Sequence, residues 1–157
     1  MSKSKRPDMT IRRAAQDGEL PLCFEIYAKA IQGYVPPSAN WDRDGERAAF
    51  LDIVTENNTG MHVRNGNVIG FDSFFERPRD IWLNGIYFHA EYDAALETEI
   101  LGYILNVAAL ARLTGKKMRT RILKTLPQVA VYRKWGFQVL DEDDNYLWLE
   151  GNGTFGH

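Results

Sequence analysis

A dense group of basic side chains lies between positions 116 and 134 of this sequence. Ammonium and guanidinium groups bind phosphate and carboxylate oxygens, so the group could hold the phosphates of a cofactor, a nucleic acid or an acidic protein surface. The same residues also fit the solvated polar face of a strand and a helix, which is the commoner use of such charges. The group comprises Lys116, Lys117, Arg119, Arg121, Lys124, Arg133 and Lys134.

The charge of the whole chain narrows these alternatives. Lysine and arginine number 19 against 21 aspartate and glutamate residues, and the formal net charge is −2. The basic group also lacks the interleaved aromatic residues of a base-stacking surface. Both observations disfavour a nucleic acid as partner.

Cysteine chemistry is almost excluded by composition. Cys23 is the single cysteine, so the chain can form neither an internal disulfide nor a cysteine-based metal cluster, which fits a reducing compartment. Cys23 stands among Leu22, Phe24 and Ile26. This setting predicts a packed thiol and not a nucleophile.

Length and composition predict one soluble domain. The chain has 157 residues, of which 45% are hydrophobic and 25% charged. No window approaches the length of a membrane span, and the basic start lacks the apolar run of a secretory signal. We expect a basic flexible tail over 1–8, a domain over 9–150 and a glycine-rich flexible tail over 151–157. The expected location is the cytoplasm, or the interior of a virion if the source is a bacteriophage.

Local signals predict the elements that must position the basic group. Gly115 ends a long apolar-striped helix, and 117–123 alternates polar and apolar residues as a strand does. Pro127 can open a short helix, which Gly136 stops. Asn65-Gly66 marks a hairpin, and Gly85 inside a strand marks a bulge or a close approach. The full prediction is strands at 9–13, 61–64, 68–75, 81–89, 117–123, 137–140 and 146–149, with helices at 20–31, 42–57, 93–114 and 127–135.

This order resembles the GNAT superfamily of acetyl-CoA-dependent N-acetyltransferases. The resemblance is carried by the strand–helix–strand segment around Val131-Tyr132-Arg133-Lys134-Trp135-Gly136-Phe137, preceded by a long helix. It extends from 9 to 149. It implies an α/β (α+β) fold, with a single mixed, mostly antiparallel sheet of six to seven strands and helices on both faces.

The resemblance also implies catalytic roles. Acetyl-CoA would enter a gap between the fourth and fifth strands, where a backbone N–H near Tyr87 or Phe88 polarises the thioester carbonyl. Tyr132 would be the general acid toward the leaving thiolate, although a tyrosine packed against the sheet would give the same pattern. Glu91 and His89 are the leading candidates for the general base, and Asp72 and Glu76 are weaker ones.

The cofactor-binding segment departs from the family pattern. The family holds the pyrophosphate with a glycine-rich loop at the start of the long helix. Here residues 91–99 contain no glycine and several carboxylates, and Ala95 and Thr98 occupy the corresponding positions. The asparagine that contacts the cofactor arm is also missing, with Thr125 or Gln128 as replacements. Arg133 is a further candidate for the phosphates.

Three functions remain open on these residues. The first is transfer of an acetyl group from acetyl-CoA to an amine, carried by a small molecule, a protein N-terminus or a lysine. The second is a catalytically inactive GNAT-fold scaffold in a larger assembly, for example a bacteriophage particle. The third is an acyltransferase that uses another donor, such as an acyl-carrier protein. A homo-oligomer formed through the sheet edge is compatible with all three.

Overall fold

The computed structural model describes residues 9–89, 91–92 and 96–153. Their order of elements agrees with the sequence prediction. The strands are β1 (Thr10–Ala14), β2 (Thr59–Arg64), β3 (Asn67–Glu76), β4 (Asp80–Phe88), β5 (Lys117–Leu123), β6 (Gln138–Glu142) and β7 (Tyr146–Gly151). The helices are α1 (Leu20–Ile31), α2 (Arg43–Ile53), α3 (Leu96–Thr114) and α4 (Gln128–Lys134).

All seven strands form one sheet in the order β1-β2-β3-β4-β5-β7-β6. Every pairing is antiparallel except that of β4 with β5. The β2–β3 hairpin turns at Asn65 and Gly66, which both have positive φ (53° and 79°). This is the backbone that an Asn-Gly pair adopts in a two-residue hairpin turn, and it confirms the prediction.

The second helix is shorter than the sequence suggests. It ends at Ile53, where the Val54 N–H still bonds to Phe50 O but the Val54 backbone is extended. A capping box between Thr55 and Asn58 then starts a 3-10 turn over Glu56–Asn58. Of the residues predicted to point inward, Phe50 and Val54 are buried, but Ala49 and Ile53 are exposed. At the other end of the chain, β7 continues to Gly151, beyond its predicted end at position 149.

Helices cover both faces of the sheet. On one face, α1 and α2 place Tyr27 and Phe50 against Tyr87 and Phe71 of the central strands. On the other face, α3 places Tyr103 against Phe74. No helix among the described residues combines the length and apolarity needed to cross a bilayer.

Cys23 is a packed thiol, as predicted. Its side chain has no exposed surface, and its Sγ lies 3.6 Å from Met61 Sδ between α1 and β2. Burial raises the pKa of the Cys23 thiol to about 12. The folded chain therefore carries no reactive thiolate at neutral pH.

An ion network centred on the buried Asp72 lies on the α3 face, across the first three strands. Asp72 on β3 accepts two hydrogen bonds from Arg12 (2.7 and 2.8 Å) and one from His62 Nε2 (2.6 Å). The other ring nitrogen of His62 lies 3.8 Å from a carboxylate oxygen of Glu99, in the first turn of α3. Burial opposes ionisation of Asp72, but the hydrogen bonds from Arg12 and His62 outweigh it and lower its pKa. Gly60 leaves room for the Arg12 guanidinium, because a Cβ there would lie 2.2 Å from its central carbon.

Replacement of Asp72 by asparagine should destabilise the fold by about 1–3 kcal/mol, because it removes the charged acceptor of the hydrogen bonds from Arg12 and His62. Urea unfolding at pH 7 measures this change. Asp17→Asn is the matched control, since Asp17 is an exposed turn residue. An equal, small effect of both substitutions would contradict a structural role for the network.

Two carboxylates with charged partners make stability depend on pH with a defined sign. The folded pKa values of Asp72 and of Asp80, which is hydrogen-bonded to Arg77, lie below their usual value. Their contribution is therefore complete above the unfolded pKa near 4 and is lost as the pH falls through the lowered folded values. We expect wild-type stability to fall between about pH 5 and pH 2, and to fall less steeply in Asp72→Asn.

Candidate active site

The two parallel strands at the centre of the sheet separate after three residue pairs. Asp80, Ile81 and Trp82 of β4 pair with Lys117, Met118 and Arg119 of β5. One further link follows, in which the Thr120 hydroxyl donates to Leu83 O (2.8 Å). Beyond this point the backbone edge of β4 faces β5 without main-chain pairing. The gap lies where the sequence resemblance predicts the cofactor to enter.

A bulge in β4 marks the start of the gap, and it confirms the prediction made from Gly85. Ser73 of β3 pairs with Gly85 and Phe74 pairs with Leu83, so Asn84 is the extra residue. Gly85 has φ +122°, and a Cβ there would lie 2.6 Å from the Tyr87 ring. The Tyr103 hydroxyl supports the bulge from the α3 face. It accepts from the Gly85 N–H (3.2 Å) and donates to Ser73 O (2.6 Å).

A cavity of about 550 Å³ opens at this gap on the α1–α2 face. Its floor comes from β4 and β5 and its walls from α1, α2 and β7. The dominant side chains are aromatic, which suits an organic ligand with an apolar part. They are Tyr27, Phe50, Phe75, Trp82, Tyr87, Tyr146 and Trp148.

Four charged side chains also line the cavity. Glu46 and Asp52 come from α2, and no cation lies within ion-pair distance of either among the described residues. Arg121 comes from β5 and lies 4.0 Å from the Tyr146 ring centroid. It likewise has no ion-pair partner in the described part of the chain. Arg77 is different, because it is held by Asp80 with two 2.6 Å hydrogen bonds and stacks on Trp82.

Two buried amide oxygens at the gap have no hydrogen-bond partner among the described residues. Asn84 donates through Nδ2 to the Ser73 hydroxyl (2.8 Å), and its Oδ1 is left unsatisfied at the cavity floor. Gln128, in the first turn of α4, is 4% exposed and donates to Ile86 O on β4 (2.9 Å). Its Oε1 is also unsatisfied. A buried acceptor without a donor is costly, so a ligand N–H or O–H would be stabilised at either atom. Asn84 lines the cavity, whereas Gln128 is not among its lining residues and lies beside Ile86 of β4.

The predicted catalytic residues lie in different places relative to the cavity. Tyr87 lines it, whereas Phe88 faces the other side of the sheet and packs on the His62 ring at 5.2 Å. Tyr132 is 1% exposed on α4, with its ring against Phe137. Burial, and more weakly the Asp72 carboxylate, raises the pKa of Tyr132. The hydroxyl is therefore protonated at neutral pH, as a general acid must be.

The predicted bases follow the end of β4. His89 is half-buried and its backbone N–H donates to Ile69 O, while Glu91 is exposed. Neither is among the residues that line the cavity. The two weaker candidates have structural partners, since Asp72 belongs to the ion network and Glu76 pairs with Lys116. The carboxylates that do line the cavity, Glu46 and Asp52, were missed by the sequence analysis, because nothing local distinguishes them from other acidic residues of α2.

The predicted cofactor-binding residues lie mainly near the start of α3 and around α4. Thr98 is exposed in the first turn of α3, and Arg133 is exposed at the end of α4. Lys134 and Glu97 form an ion pair (2.8 Å) that brings these two helix ends together. The Thr125 hydroxyl donates a hydrogen bond to Tyr34 O, which links it to the segment after α1. Ala95 lies outside the described residues.

The basic group is largely paired. Five of its seven members form ion pairs with carboxylates that are distant in sequence: Lys116 with Glu76, Lys117 with Glu150, Arg119 with Glu150 and Asp80, Lys124 with Glu142, and Lys134 with Glu97. Arg121 and Arg133 are the two members outside such pairs in the described part of the chain.

The fold is shared with solved N-acetyltransferases. The ribosomal-protein-S18-alanine N-acetyltransferase from Escherichia coli is similar with a TM-score of 0.64 and 15% identity, over 90% of this chain and 92% of that chain. A PaiA N-acetyltransferase from Thermoplasma acidophilum in complex with coenzyme A gives 0.64 and 14%, over 92% and 99%. A protein described as an acetyltransferase of the GNAT family from Desulfovibrio desulfuricans gives 0.65 and 13%, over 93% and 100%.

The chain therefore has the fold of the GNAT superfamily, as the sequence resemblance predicts. No protein-family model matches the sequence, and no curated protein matches it. At identities of 13–15% the structural likeness establishes the fold. The chemistry has to be argued from the site itself.

Gly85→Ala should destabilise the protein by about 1–3 kcal/mol, because it places a Cβ at positive φ and against the Tyr87 ring. Gly33→Ala is the control, since Gly33 has open space around it and no positive φ. Urea unfolding gives the free energies, and near-ultraviolet circular dichroism reports the aromatic wall. Equal stabilities of the two variants would contradict the strained bulge.

Proposed function

We propose that this protein is an acetyl-CoA-dependent N-acetyltransferase that acts on an amine. The observation that carries the proposal is the separation of β4 from β5 after Trp82 and Arg119, with an aromatic cavity opening at the gap. The fold supports it, because the similar structures are N-acetyltransferases and one of them holds coenzyme A.

The described residues at the gap fit the pantetheine arm of the cofactor. That arm carries amide groups with N–H donors, and the buried Gln128 Oε1 is an acceptor without a donor. The backbone edge of β4 beyond Trp82, which does not pair with β5, offers main-chain partners to the same arm. Backbone N–H groups around Tyr87 and Phe88 would polarise the carbonyl, and Arg133, Thr98 and Thr125 would contact the distal part. The bound cofactor supplies an acetyl group activated as a thioester.

The phosphates of the cofactor would contact a segment without glycine. The acidic residues of this segment would repel phosphate less strongly than the sequence suggests. Glu97 is paired with Lys134, and Glu99 faces the buried His62 ring. The Glu97 carboxylate is therefore partly offset by a cation of the protein. Arg133, next to Lys134, adds an exposed positive charge at the same helix ends.

Side chains of the protein would bind the amine and transfer its protons. Asn84 Oδ1 at the cavity floor can accept a hydrogen bond from the amine N–H, and it satisfies its own buried acceptor by doing so. A base must take the proton that the amine loses, and Glu46 lines the cavity for that role. His89 and Glu91 keep the alternative role of base acting through water from the end of β4. Tyr132 supplies the proton to the leaving sulfur.

Calorimetric titration with acetyl-CoA, and with desulfo-CoA as an unreactive analogue, tests the proposal directly. We expect micromolar binding, about −8 kcal/mol, and thiol release that depends on an added amine. Absence of heat with either ligand at millimolar concentration would contradict the proposal. Binding without thiol release for any amine would leave a coenzyme A-binding protein and contradict the transferase activity.

Gln128→Leu should weaken acetyl-CoA binding about fivefold, the effect of one lost hydrogen bond of about 1 kcal/mol. Gln138→Leu is the matched control on the exposed edge strand β6. Unfolding free energies of both variants separate loss of the ligand contact from loss of the Ile86 hydrogen bond.

Tyr132→Phe should bind acetyl-CoA normally and lower kcat, and an unchanged kcat would contradict its role as acid.

A further inference from the structure

Two opposite charges face the same cavity and are left without ion-pair partners among the described residues. Arg121 stands on β5 and Glu46 on α2, and both line the cavity. Five other members of the basic group form ion pairs, whereas Arg121 forms none among the described residues. Its guanidinium is held over the Tyr146 ring at 4.0 Å, which fixes its direction without neutralising its charge.

Tyr27 and Tyr146 line the same cavity as these two charges. Burial raises the pKa of both tyrosines, Glu46 raises each further, and Arg121 lowers each. Both charges therefore act on the same pair of rings from two walls of one cavity. They form no ion pair with each other, so both charges remain available to a ligand with two charged ends.

We propose that the acceptor is a zwitterion, a free α-amino acid with an apolar or aromatic side chain. Its carboxylate would pair with Arg121, its amino group would face Glu46 and Asn84 Oδ1, and its side chain would pack on the aromatic wall. This inference rests on the proposed function and adds the substrate class to it.

The charges of the cavity select this class over two others. A polyamine would suit Glu46 and Asp52 but would meet the unpaired guanidinium of Arg121. A protein N-terminus brings an amine but no carboxylate on the same residue, so Arg121 would stay unpaired inside a cavity that the peptide covers. A zwitterion pairs with both Arg121 and Glu46, which is the arrangement that costs least on desolvation. The remaining unpaired carboxylate, Asp52, is exposed to solvent.

The chemical step balances with these groups. The amino nitrogen forms a bond to the acetyl carbon as the bond from that carbon to sulfur breaks. The ammonium form of the acceptor loses two protons in all, of which one goes by way of Glu46 to solvent and one ends on the thiol. The products are an N-acetyl amino acid and free coenzyme A.

Three ligands with one carbon skeleton test the proposal by calorimetry on the full chain, with and without desulfo-CoA. They are L-phenylalanine, phenethylamine, which lacks the carboxylate, and 3-phenylpropionate, which lacks the amine. We expect L-phenylalanine to bind at least about tenfold more tightly than either analogue, the effect of losing one charged hydrogen-bonding group. L-Leucine extends the test to an aliphatic side chain.

Two substitutions should act on opposite ends of the ligand. Arg121→Met should weaken L-phenylalanine and 3-phenylpropionate about tenfold and leave phenethylamine unchanged. Glu46→Gln should weaken L-phenylalanine and phenethylamine and leave 3-phenylpropionate unchanged. Arg79→Met, an exposed arginine of the β3–β4 turn outside the cavity, should change none of them.

The outcomes separate this inference from the proposed function. Phenethylamine binding as tightly as L-phenylalanine, no binding of either L-phenylalanine or L-leucine, or an equal effect of Arg121→Met on all three ligands would overturn the zwitterion. Thiol release with simple amines or peptides would still support the transferase in that case. Selective binding of L-phenylalanine without thiol release would support the zwitterion site and contradict the transferase.

Discussion

Backbone groups of β4 that no longer pair with β5 must form hydrogen bonds elsewhere, and the rest of the structure depends on this requirement. The strand is paired with β3 along its length but with β5 over only three residues. Beyond them, side chains take over the role of a neighbouring strand. Thr120 bonds to Leu83 O and Gln128 bonds to Ile86 O, so the gap stays open without an unsatisfied carbonyl at either position. A short helix that begins at Gln128 is therefore part of the sheet's hydrogen bonding.

The two faces of the sheet have different chemistry because consecutive residues of β3 point to opposite sides. Asp72 is the centre of an ion network with Arg12 and His62 beneath α3. Its neighbour Ser73 bonds to Asn84, on the face that carries the aromatic cavity. Tyr103 joins the two systems through Ser73 O and the Gly85 N–H, so the bulge is held from the face opposite the cavity.

Local signals were sufficient for the order of elements. The Asn65-Gly66 turn, the alternation over β5 and the stop at Gly115 each depend on a few neighbouring residues, and each predicted its element. The predicted span of helix α2 was too long. The helix ends where the Thr55–Asn58 capping box begins and where Val54 is buried, and hydrophobic periodicity does not show either feature.

The site was less predictable, because its properties come from pairs that are distant in sequence. The sequence left open whether the basic group binds phosphates or is a solvated polar face, and most of its members form ion pairs with residues 18 to 40 positions away. Only the folded chain distinguishes Arg121 from its paired neighbours. Glu46 and Asn84 are likewise distinguished only by the cavity that they line. Tyr87, which the family resemblance names near the end of the fourth strand, lines the same cavity.

The buried Cys23 can report local unfolding in which α1 separates from β2. With no exposed surface and a pKa near 12, its thiol is protected as long as α1 remains packed on β2. A disulfide reagent would therefore label only molecules in which that contact has separated, at a rate set by the opening equilibrium. Since α1 also carries Tyr27 of the cavity wall, slower labelling in the presence of a cavity ligand would measure how far binding holds this helix against the sheet.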